Sequence, residues 1–285
     1  MQQKSTALVT GSSSGIGFET SLSLARAGFY TYATMRNLDK SSKIIEITQQ
    51  DNLPLEVLRL DVTDDKSVKD AIDTIAVKQK RIDVVVNNAG YGSTGAVEDF
   101  SIDEIKAQFE TNFFGAIRVI QHVLPLMRER RSGIIVNISS IGGRIAFPFS
   151  PSYASTKFAL EGLSEALQYE VEQFGIKVML VEPGIIKTNF FDNILKAKRA
   201  ADPASPYSEL LQRRINRVKT MFENGTAPEE VAKVILKAIT SITPDLRYLV
   251  GSDANSLIEK RKNVPERKFL EFMSQNILGS GNRMY

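Results

Sequence analysis

The chain has no cysteine, no tryptophan and a single histidine, His122, among its 285 residues. Without cysteine it forms no disulfide, carries no thiolate nucleophile and offers no cysteine-ligated zinc site. With one histidine, a His-based metal centre or a Ser-His-Asp triad is disfavoured. The apolar helical pattern around His122 predicts a position on a helix surface or interface. These absences direct attention to hydroxyl, phenol and ammonium groups.

A large charge imbalance and long apolar runs are also missing. The 36 basic and 33 acidic residues give a net charge of +3, which is too small to indicate nucleic-acid binding. No apolar run approaches the ~20 residues that a membrane-spanning helix needs. The N-terminus enters a strand pattern directly, which leaves no room for a signal peptide. We therefore expect a soluble, cytoplasmic protein.

Short apolar segments alternate with helical patterns along most of the chain. This alternation predicts a parallel sheet with helices on both of its faces. The expected fold is α/β, a doubly wound parallel seven-stranded sheet of the Rossmann type in a single domain. The predicted strands occupy residues 5–10, 29–36, 53–62, 82–90, 133–139, 176–184 and 246–251.

A glycine-rich turn lies between the first strand and the helix that follows it. Gly11, Gly15 and Gly17 form a Gly-x-x-x-Gly-x-Gly pattern, and no Gly-Lys-Ser/Thr follows, so the turn is not a P-loop. Glycines allow a backbone to approach a pyrophosphate, and a helix N-terminus offers unpaired N–H groups to it. The turn therefore predicts a dinucleotide site.

The end of the second strand bears on the choice of cofactor. Enzymes for unphosphorylated NAD usually carry an acid near this point to bind the ribose 2′-hydroxyl. Here Met35 and then Arg36 occupy the position. A guanidinium is a bidentate donor suited to a 2′-phosphate, and Ser13 could add a hydroxyl. We predict NADP(H), with a solvated loop arginine as the alternative interpretation.

Ser140, Tyr153 and Lys157 lie in one stretch, "NISSIGGRIAFPFSPSYASTKFALEGL". Tyr153 and Lys157 are four residues apart in a helical pattern, so they share a helix face. Ser140 follows the fifth strand and could face the phenol. Tyr-x-x-x-Lys also occurs by chance as a solvated pair. Together with the serine, it predicts a site for proton transfer to an oxygen.

Three further predictions concern helices and the C-terminal part. The helix over residues 101–130 begins with a capping box of Ser101 and Glu104, and Asn112 inside its apolar run predicts a kink. Thr63 is the expected N-cap of the helix after the third strand. Residues 189–225 predict a helical lid, with Phe190, Phe191, Phe222, Phe147 and Phe149 lining an apolar pocket. The domain then spans residues 1–252, and residues 253–285 form a C-terminal extension.

The chain resembles the short-chain dehydrogenase/reductase family over its length to about Ser252. The resemblance lies in seven features that occur in family order: TGSSSGIG, LDV, NNAG, Asn112, Ser140, YASTK and EPGIIKT. Within the family it is most similar to the 17β-hydroxysteroid and retinol dehydrogenase branch. Ser140, rather than Ser139, stands at the family's usual distance of thirteen residues before the tyrosine.

The resemblance implies roles for individual residues. Catalysis would involve Asn112, Ser140, Tyr153 and Lys157, with Asn112 anchoring a water. Tyr153 and Lys157 would also hold the nicotinamide ribose. The remaining cofactor contacts would come from Gly11, Ser13, Gly15, Ile16, Gly17, Asp61, Val62, Asn88, Ala89, Gly90, Pro183, Gly184, Ile186 and Thr188.

The expected activity is NADP(H)-dependent interconversion of a carbonyl and a primary or secondary alcohol on a small apolar substrate, without a metal. Tyr153 would act as general acid/base, with Lys157 as the nearby cation that lowers the pKa of the phenol. The alternatives are an NAD-linked alcohol dehydrogenase and a dinucleotide-binding redox sensor without turnover. The resemblance also implies a homodimer or homotetramer.

Overall fold

Seven parallel strands form the main sheet of the computed structural model, which describes residues 4–279. Their order is β3-β2-β1-β4-β6-β7-β9, and β5 and β8 form a separate short parallel pair. The strands of the described chain are β1 (Thr6–Val9), β2 (Tyr30–Met35), β3 (Leu55–Arg59), β4 (Val84–Asn87), β5 (Ser93–Thr94), β6 (Gly133–Ile138), β7 (Ile176–Pro183), β8 (Leu195–Lys196) and β9 (Arg247–Val250).

Helices cover both faces of the main sheet. They are α1 (Gly15–Arg26), α2 (Ser42–Gln50), α3 (Asp65–Gln79), α4 (Ile102–Phe109), α5 (Gly115–Arg130), α6 (Pro151–Val171), α7 (Ser208–Glu223), α8 (Pro228–Ile239), α9 (Ser252–Asn263) and α10 (Glu266–Leu278). The predicted doubly wound seven-stranded fold is confirmed. No helix within residues 4–279 is long and apolar enough to cross a membrane.

Alternating residues of the central strands divide the core into two layers. Leu8 of β1 packs on the side that α3, α5 and α6 cover. Its neighbours Ala7 and Val9 pack on the opposite side, against residues of α1 and α8. Because successive side chains of a strand point to opposite faces, an apolar strand of this kind is buried on both.

The predicted kink near Asn112 is a turn of π-helix. Residues Glu110–Phe114 form it between α4 and α5, and Asn112 is 2% exposed. The capping box at the start of α4 is present: the Glu104 N–H donates to Ser101 Oγ, and Glu104 Oε2 accepts from the Ser101 N–H at 2.9 Å. The π turn shifts the helix register and directs Asn112 inward.

The N-cap prediction for α3 was wrong by one residue. Asp64 is the N-cap, and its Oδ1 accepts from the N–H groups of Lys66 and Ser67. Thr63 instead donates its hydroxyl to Asp61 Oδ1 at 2.8 Å. Because Asp61 engages the threonine hydroxyl, the next residue caps the helix.

The segment predicted as a lid contains β8 and α7. Its buried Arg214 donates from Nε to the Pro148 carbonyl at 2.9 Å, from Nη1 to Thr94 Oγ1 at 3.0 Å and from Nη2 to Ser150 Oγ at 2.6 Å. Burial lowers the pKa of this guanidinium to about 10. These three bonds tie α7 to β5 and to the turn before α6.

The C-terminal extension forms α9 and α10, and its last residues, 280–285, lie outside the described part. Phe269, Met273 and Ile277 of α10 pack with Ile141 and Ile145, which follow Ser140. Met221 of α7 packs against the same cluster. The extension therefore contacts both the lid segment and the loop after β6. The division into a domain of residues 1–252 and an extension stays a prediction.

Candidate active site

The predicted site residues lie at the carboxyl ends of strands β1, β2, β3, β4, β6 and β7, at one edge of the sheet. Ligands bind beyond this edge in open α/β sheets. Strand order brings β1, β4, β6 and β7 together as neighbours, so their terminal loops meet. The segments that follow β2 and β3 lie farther toward one side of the sheet.

The glycine turn is fitted against the end of β4. Gly11 adopts φ +70°, and a Cβ on Gly17 would lie 2.4 Å from Asn88 Nδ2 and 2.5 Å from the Gly11 carbonyl oxygen. Asn88 Nδ2 donates to the carbonyls of Thr10 and Gly11 at 2.9 and 3.1 Å. Only glycine leaves space for this contact at position 17.

Thr10 is a residue of this junction that the sequence analysis missed. Its buried Oγ1 accepts from the N–H groups of Asn88 and Ala89, both at 3.0 Å. A buried threonine at a strand end, before the first glycine of the turn, was the available signal. Thr10 joins the first βα turn to the segment predicted to lie beside the adenosine ribose.

The start of α1 suits an anion. The helix begins at Gly15, and within the described chain the Ser14 side chain makes no hydrogen bond to the N–H groups that follow it. The Thr188 side chain comes from the other side, 3.2 Å from where a Cβ of Gly15 would stand. Ser13 and Ile16 are partly exposed beside this turn. Free helix N–H groups and an approachable backbone fit a pyrophosphate.

Arg36, Asp61 and Val62 line the more distant part of the edge. Arg36 is exposed after β2, and among residues 4–279 its guanidinium has no hydrogen-bond or ion-pair partner. Asp61 Oδ1 accepts from the N–H of Thr63 at 3.0 Å. Val62 is buried, and its carbonyl accepts from Arg118 Nη1 at 3.0 Å. Arg36 is thus free to bind an anion.

Asn112 pairs with the backbone that follows β4. Its Oδ1 accepts from the Tyr91 N–H at 3.0 Å, and its Nδ2 donates to the Tyr91 carbonyl at 2.9 Å and to Thr156 Oγ1 at 3.3 Å. A Cβ on Gly90 would lie 3.1 Å from Oδ1. Both amide hydrogens of Asn112 are used within the protein, so its side chain could hold a water only as an acceptor.

Ser140 and Tyr153 meet at the end of β6. The Ser140 hydroxyl is near enough to the Tyr153 phenol to lower its pKa, and Ser140 Oγ accepts from the Gly142 N–H at 3.0 Å. A Cβ on Gly142 would lie 3.2 Å from the Tyr153 ring and 3.3 Å from Ser140 Oγ. Both residues are partly exposed. The phenol and hydroxyl can therefore reach one substrate oxygen.

Lys157 lies one helical turn beyond Tyr153 and is 6% exposed. Its Nζ donates to the Ile138 carbonyl at 2.8 Å and lies 5.8 Å from the centre of the Tyr153 ring. Burial lowers the pKa of the Lys157 ammonium to about 8, and the carboxylate of Glu161 acts in the opposite direction.

The expectation that Lys157 lowers the pKa of Tyr153 was wrong for the protein alone. Although part of the side chain reaches solvent, burial of the phenol raises the pKa of Tyr153 to about 12. The hydrogen bond with Ser140 is the influence that opposes this rise. Desolvation of the phenolate is the dominant influence, and Lys157 is not among the groups that lower this pKa. Tyr153 is therefore a neutral phenol at pH 7.

The segment after β7 is held by a residue outside the predicted set. Asp253, in the first turn of α9, accepts from the Ile185 N–H at 2.8 Å. A Cβ on Gly184 would lie 2.3 Å from the same carboxylate. Ile186 is buried, and Pro183 is hydrogen-bonded through its carbonyl to Ser140 Oγ at 3.4 Å. The C-terminal extension therefore positions the loop after β7, which is predicted to contact the cofactor.

Three of the five aromatic residues predicted to line a pocket come together beside Tyr153. The rings of Tyr153 and Phe190 are 5.8 Å apart, and Phe222 lies 6.3 Å from Phe190 and 5.3 Å from Phe191. Phe147 packs instead with the C-terminal extension. Phe149 adopts φ +59° and packs against Tyr207. The other two phenylalanines thus belong to neighbouring clusters.

His122 lies on α5, as predicted, with Nε2 3.1 Å from Asp65 Oδ1. Within residues 4–279, no three His, Asp or Glu side chains converge to hold a metal ion. The chemistry available at the edge is therefore that of a phenol, a hydroxyl, an ammonium and a dinucleotide cradle.

Known proteins are similar to this chain in sequence. The family model for short chain dehydrogenase matches residues 5–199. The 3-ketodihydrosphingosine reductase of Bacteroides thetaiotaomicron is 38% identical over 256 residues, which cover 90% of this chain and 91% of that protein. Retinol dehydrogenase 8 of Bos taurus is 40% identical over 270 residues, covering 91% of this chain and 86% of that protein.

Solved structures give the same result. The crystal structure of a short-chain dehydrogenase from Streptomyces avermitilis has a TM-score of 0.82 against this chain at 32% sequence identity. The match covers 95% of this chain and 97% of the other. Sequence and fold therefore agree over nearly the whole length.

Proposed function

The chain belongs to the short-chain dehydrogenase family, close to its retinol dehydrogenase branch, and from that membership we propose an NADP(H)-dependent oxidoreductase. It interconverts a carbonyl with a primary or secondary alcohol on an apolar substrate. The observation that carries this proposal is that Ser140 and Tyr153 lie side by side next to Gly142, with Lys157 5.8 Å from the Tyr153 ring, at the edge where the glycine turn meets Asn88.

The residues present fit a dinucleotide. The contact of Gly17 with Asn88 leaves a cradle that a larger side chain would fill, and the first N–H groups of α1 face the same turn. Gly11, Ser13, Gly15, Ile16 and Gly17 would hold the pyrophosphate side, and Pro183 to Thr188 the nicotinamide side. Arg36 would bind the 2′-phosphate, which favours NADP(H) over NAD(H).

The protein's part in the reaction is proton transfer and orientation. The bound nicotinamide supplies or accepts the hydride. In the reducing direction, the Tyr153 hydroxyl donates its proton to the substrate oxygen. The Ser140 hydroxyl donates a hydrogen bond to the same oxygen as negative charge develops, a role worth ~3 kcal/mol for a comparable donor. The buried Lys157 ammonium would hold ribose hydroxyls and would stabilise the phenolate left on Tyr153.

The pKa of Tyr153 favours the reducing direction. A phenol with a pKa of about 12 is fully protonated at pH 7 and can serve as the acid that reduction needs. Oxidation of an alcohol needs the phenolate, which forms only when positive charge near the ring lowers that pKa. We therefore propose reduction of a ketone or aldehyde as the faster direction at neutral pH.

An apolar substrate is supported by the rings beside Tyr153. Phe190 and Phe222 place apolar surface next to the phenol. The two relatives described above are named as a reductase of 3-ketodihydrosphingosine and a dehydrogenase of retinol, which supports interconversion of a carbonyl and an alcohol. A cytoplasmic location and assembly into a homodimer or homotetramer stay predictions.

The test is turnover of NADPH with a panel of apolar ketones and aldehydes, followed at 340 nm. Tyr153→Phe should lower kcat by about a thousandfold, since general acid catalysis contributes ~10²–10⁴-fold, while NADPH binding measured by fluorescence is retained. Wild-type rates in the variant would contradict the role of Tyr153. If NADPH binds but no ketone, aldehyde or alcohol is turned over, the redox-sensor alternative is favoured. If turnover occurs with NADH and not with NADPH, the NAD-linked alternative is favoured.

A further inference from the structure

A group of charged side chains behind Lys157 takes no part in the proposed reaction. We call Arg144, Glu161, Glu165, Glu182 and Arg247 the carboxylate cluster. Glu182 is fully buried at the end of β7, and Glu161 is 5% exposed on α6. Burying carboxylates is costly unless they are paired. The burial of these carboxylates beside the proposed active site therefore calls for a physical explanation.

The two arginines link all three carboxylates. Arg247 Nε donates to Glu161 Oε2 at 2.9 Å, and its Nη2 donates to Glu165 Oε2 at 2.7 Å. Arg247 Nε also lies 3.4 Å from Glu182 Oε1. Arg144 Nη1 donates to Glu182 Oε1 at 3.0 Å. The cluster is thus one connected network rather than separate ion pairs.

The network is one positive charge short when its carboxylates are ionised. Three carboxylates face two guanidiniums, which leaves a formal charge of −1. Lys157, four residues before Glu161 on α6, is the buried cation next to it on the same helix face. With the Lys157 ammonium included, the formal charges of the group balance.

One oxygen of Glu161 remains unbonded. Oε2 is used by Arg247, whereas Oε1 has no hydrogen-bond partner within residues 4–279, and neither has Ser139 Oγ. A Cβ on Gly143 would lie 2.8 Å from Ser139 Oγ, 3.0 Å from Glu161 Cγ and 3.0 Å from the Lys157 carbonyl oxygen. In such a low-dielectric place, an unbonded carboxylate oxygen acts on a nearby cation with little screening.

We propose that Glu161 is a positioning residue, whose carboxylate keeps Lys157 in its ammonium form at neutral pH. This inference rests on the proposed function, because the ammonium matters for holding the ribose and for stabilising the Tyr153 phenolate. Among the charges near Lys157, Glu161 is the one that raises the pKa of this lysine against the lowering effect of burial.

The other groups that face Lys157 do not supply this charge. Tyr153, on the same helix, is neutral below its pKa of about 12, and Ile138 of β6 offers a backbone carbonyl. Arg144, Glu182 and Arg247, on the neighbouring elements, bond to one another or to Glu161. Desolvation, followed by repulsion from Glu161, raises the pKa of Glu182, which makes that carboxyl the weaker source of negative charge.

The sign of the expected effect follows from this geometry. Lys157 loses its charge as the pH rises through its pKa, which is about 8. Removing the negative charge of Glu161 lowers that pKa further, so the ammonium is lost at a lower pH. In Glu161→Gln, the descending limb of kcat/KM against pH for ketone reduction should move down by about one pH unit.

Glu165 provides a matched control on the same helix. It bonds to the same Arg247, but its side chain is 47% exposed against 7% for Glu161, and it lies two turns from Lys157. Glu165→Gln should leave the descending limb in place. Glu161→Asp, which keeps the charge, should return the limb close to its wild-type position. A purely structural role for Glu161 would lower activity without moving the limb.

A titration of Lys157 separates this proposal from the proposed function. Lysine side-chain resonances labelled with ¹³C at Cε are followed by NMR from pH 6 to 11, and Lys157→Arg identifies the Lys157 signal. Glu161→Gln should lower the midpoint of that signal by about one pH unit and Glu165→Gln should not. An unchanged midpoint in Glu161→Gln, or equal shifts in both variants, overturns the proposal even when the enzyme is active. If the wild-type protein turns over no substrate while Glu161→Gln lowers the Lys157 midpoint, the proposed function is contradicted and the role of Glu161 is supported.

If Glu161→Gln does not fold, Glu161→Met, which removes the charge without leaving a buried polar group, is used instead. The same NMR titration then applies. A lowered Lys157 midpoint supports the proposal, and an unchanged one contradicts it.

Discussion

The dinucleotide edge and the wall that faces it are stabilised in different ways. At the edge, the glycine turn is held by backbone groups and by two short polar side chains, Thr10 and Asn88. The wall comprises residues 189–278 and depends on aromatic rings, the long side chain of Arg214 and the carboxylate of Asp253. The two regions meet at Tyr153.

The difference determines what each region can tolerate. Contacts at the edge depend on glycines, which have no side chain, so almost any added atom disturbs them. Contacts of the wall are made by side-chain ends, which allow other residues to fill the same space. Variants at the edge should therefore alter cofactor binding, and variants in the wall should alter the use of substrate.

The largest effect is expected for Gly17→Ala at the edge. Its Cβ would lie 2.4 Å from Asn88 Nδ2, so the bonds of Asn88 to the turn must break. Overpacking of this kind costs ~1–3 kcal/mol, and NADPH affinity measured by fluorescence should fall by about a hundredfold, equal to ~2.7 kcal/mol.

Gly162 on α6 provides the control for a glycine-to-alanine change. A Cβ there meets no atom within 4 Å. Gly162→Ala should raise the melting temperature, because alanine is favoured over glycine in a helix by about 1 kcal/mol. Tight NADPH binding by Gly17→Ala would show that the edge adapts and would remove the contrast with the wall.

Arg36→Asp should produce the next largest effect, and it should change only the binding of the cofactor. The exposed guanidinium would be replaced by an acid that binds a 2′-hydroxyl and repels a 2′-phosphate. The ratio of kcat/KM for NADPH to that for NADH should fall by about thirtyfold, since a hydrogen bond to a charged group is worth ~1.5–3 kcal/mol. Thermal stability should not change. An unchanged ratio would show that Arg36 does not read the phosphate.

Phe222→Ala tests the wall. Its ring lies 6.3 Å from Phe190 and 5.3 Å from Phe191, so its loss loosens the apolar surface beside Tyr153. KM for an apolar ketone should rise by about tenfold, which corresponds to ~1.4 kcal/mol, with the Kd for NADPH unchanged. As a control, Tyr169→Ala removes an exposed aromatic ring from α6 and should leave KM unaltered. Weaker NADPH binding in Phe222→Ala would contradict the division between the two regions.

Asp253→Ala is expected to have the smallest effect, and it tests where the boundary between the edge and the wall lies. Asp253 belongs to the wall by sequence but bonds to the Ile185 N–H of the cofactor loop. Losing that bond should cost ~1–2 kcal/mol of unfolding free energy, measured by thermal denaturation, and should weaken NADPH binding by about threefold. Asp245→Ala, at an exposed site before β9, is the control. No change in either quantity would show that the bond from Asp253 to the Ile185 N–H contributes little to either region.

The sequence predicted most of the edge because its signals are local. Each strand of the main sheet is an apolar run next to a turn signal, and the glycine spacing is read within seven residues. The π turn at Asn112 was foreseen as a kink, since a polar residue interrupted an apolar helix. The helix α2 was not foreseen, because Ile44 is its one fully buried residue in the described chain and its apolar signal is weak.

The wall could not be predicted to the same extent because its contacts join distant segments. Strands β5 and β8 have two residues each, too few to show a period. Nothing local to Arg214 indicates that it bonds to Thr94, and nothing local to Phe149 indicates that it turns away toward Tyr207. The rise in the pKa of Tyr153 also depends on burial, which spacing along a helix does not reveal.

The pairing of β5 with β8 has a consequence for how a new chain matures. The contact that joins this pair of strands to α7, from Arg214 to Thr94, spans 120 residues. Contacts of such separation form late, because closing a long loop is entropically unfavourable. During synthesis from the N-terminus, Thr10 and Asn88 can meet while Ser93 and Thr94 still await their partners. We expect a nascent protein to join its glycine turn to Asn88 first and to close the β5–β8 pair over Tyr153 last.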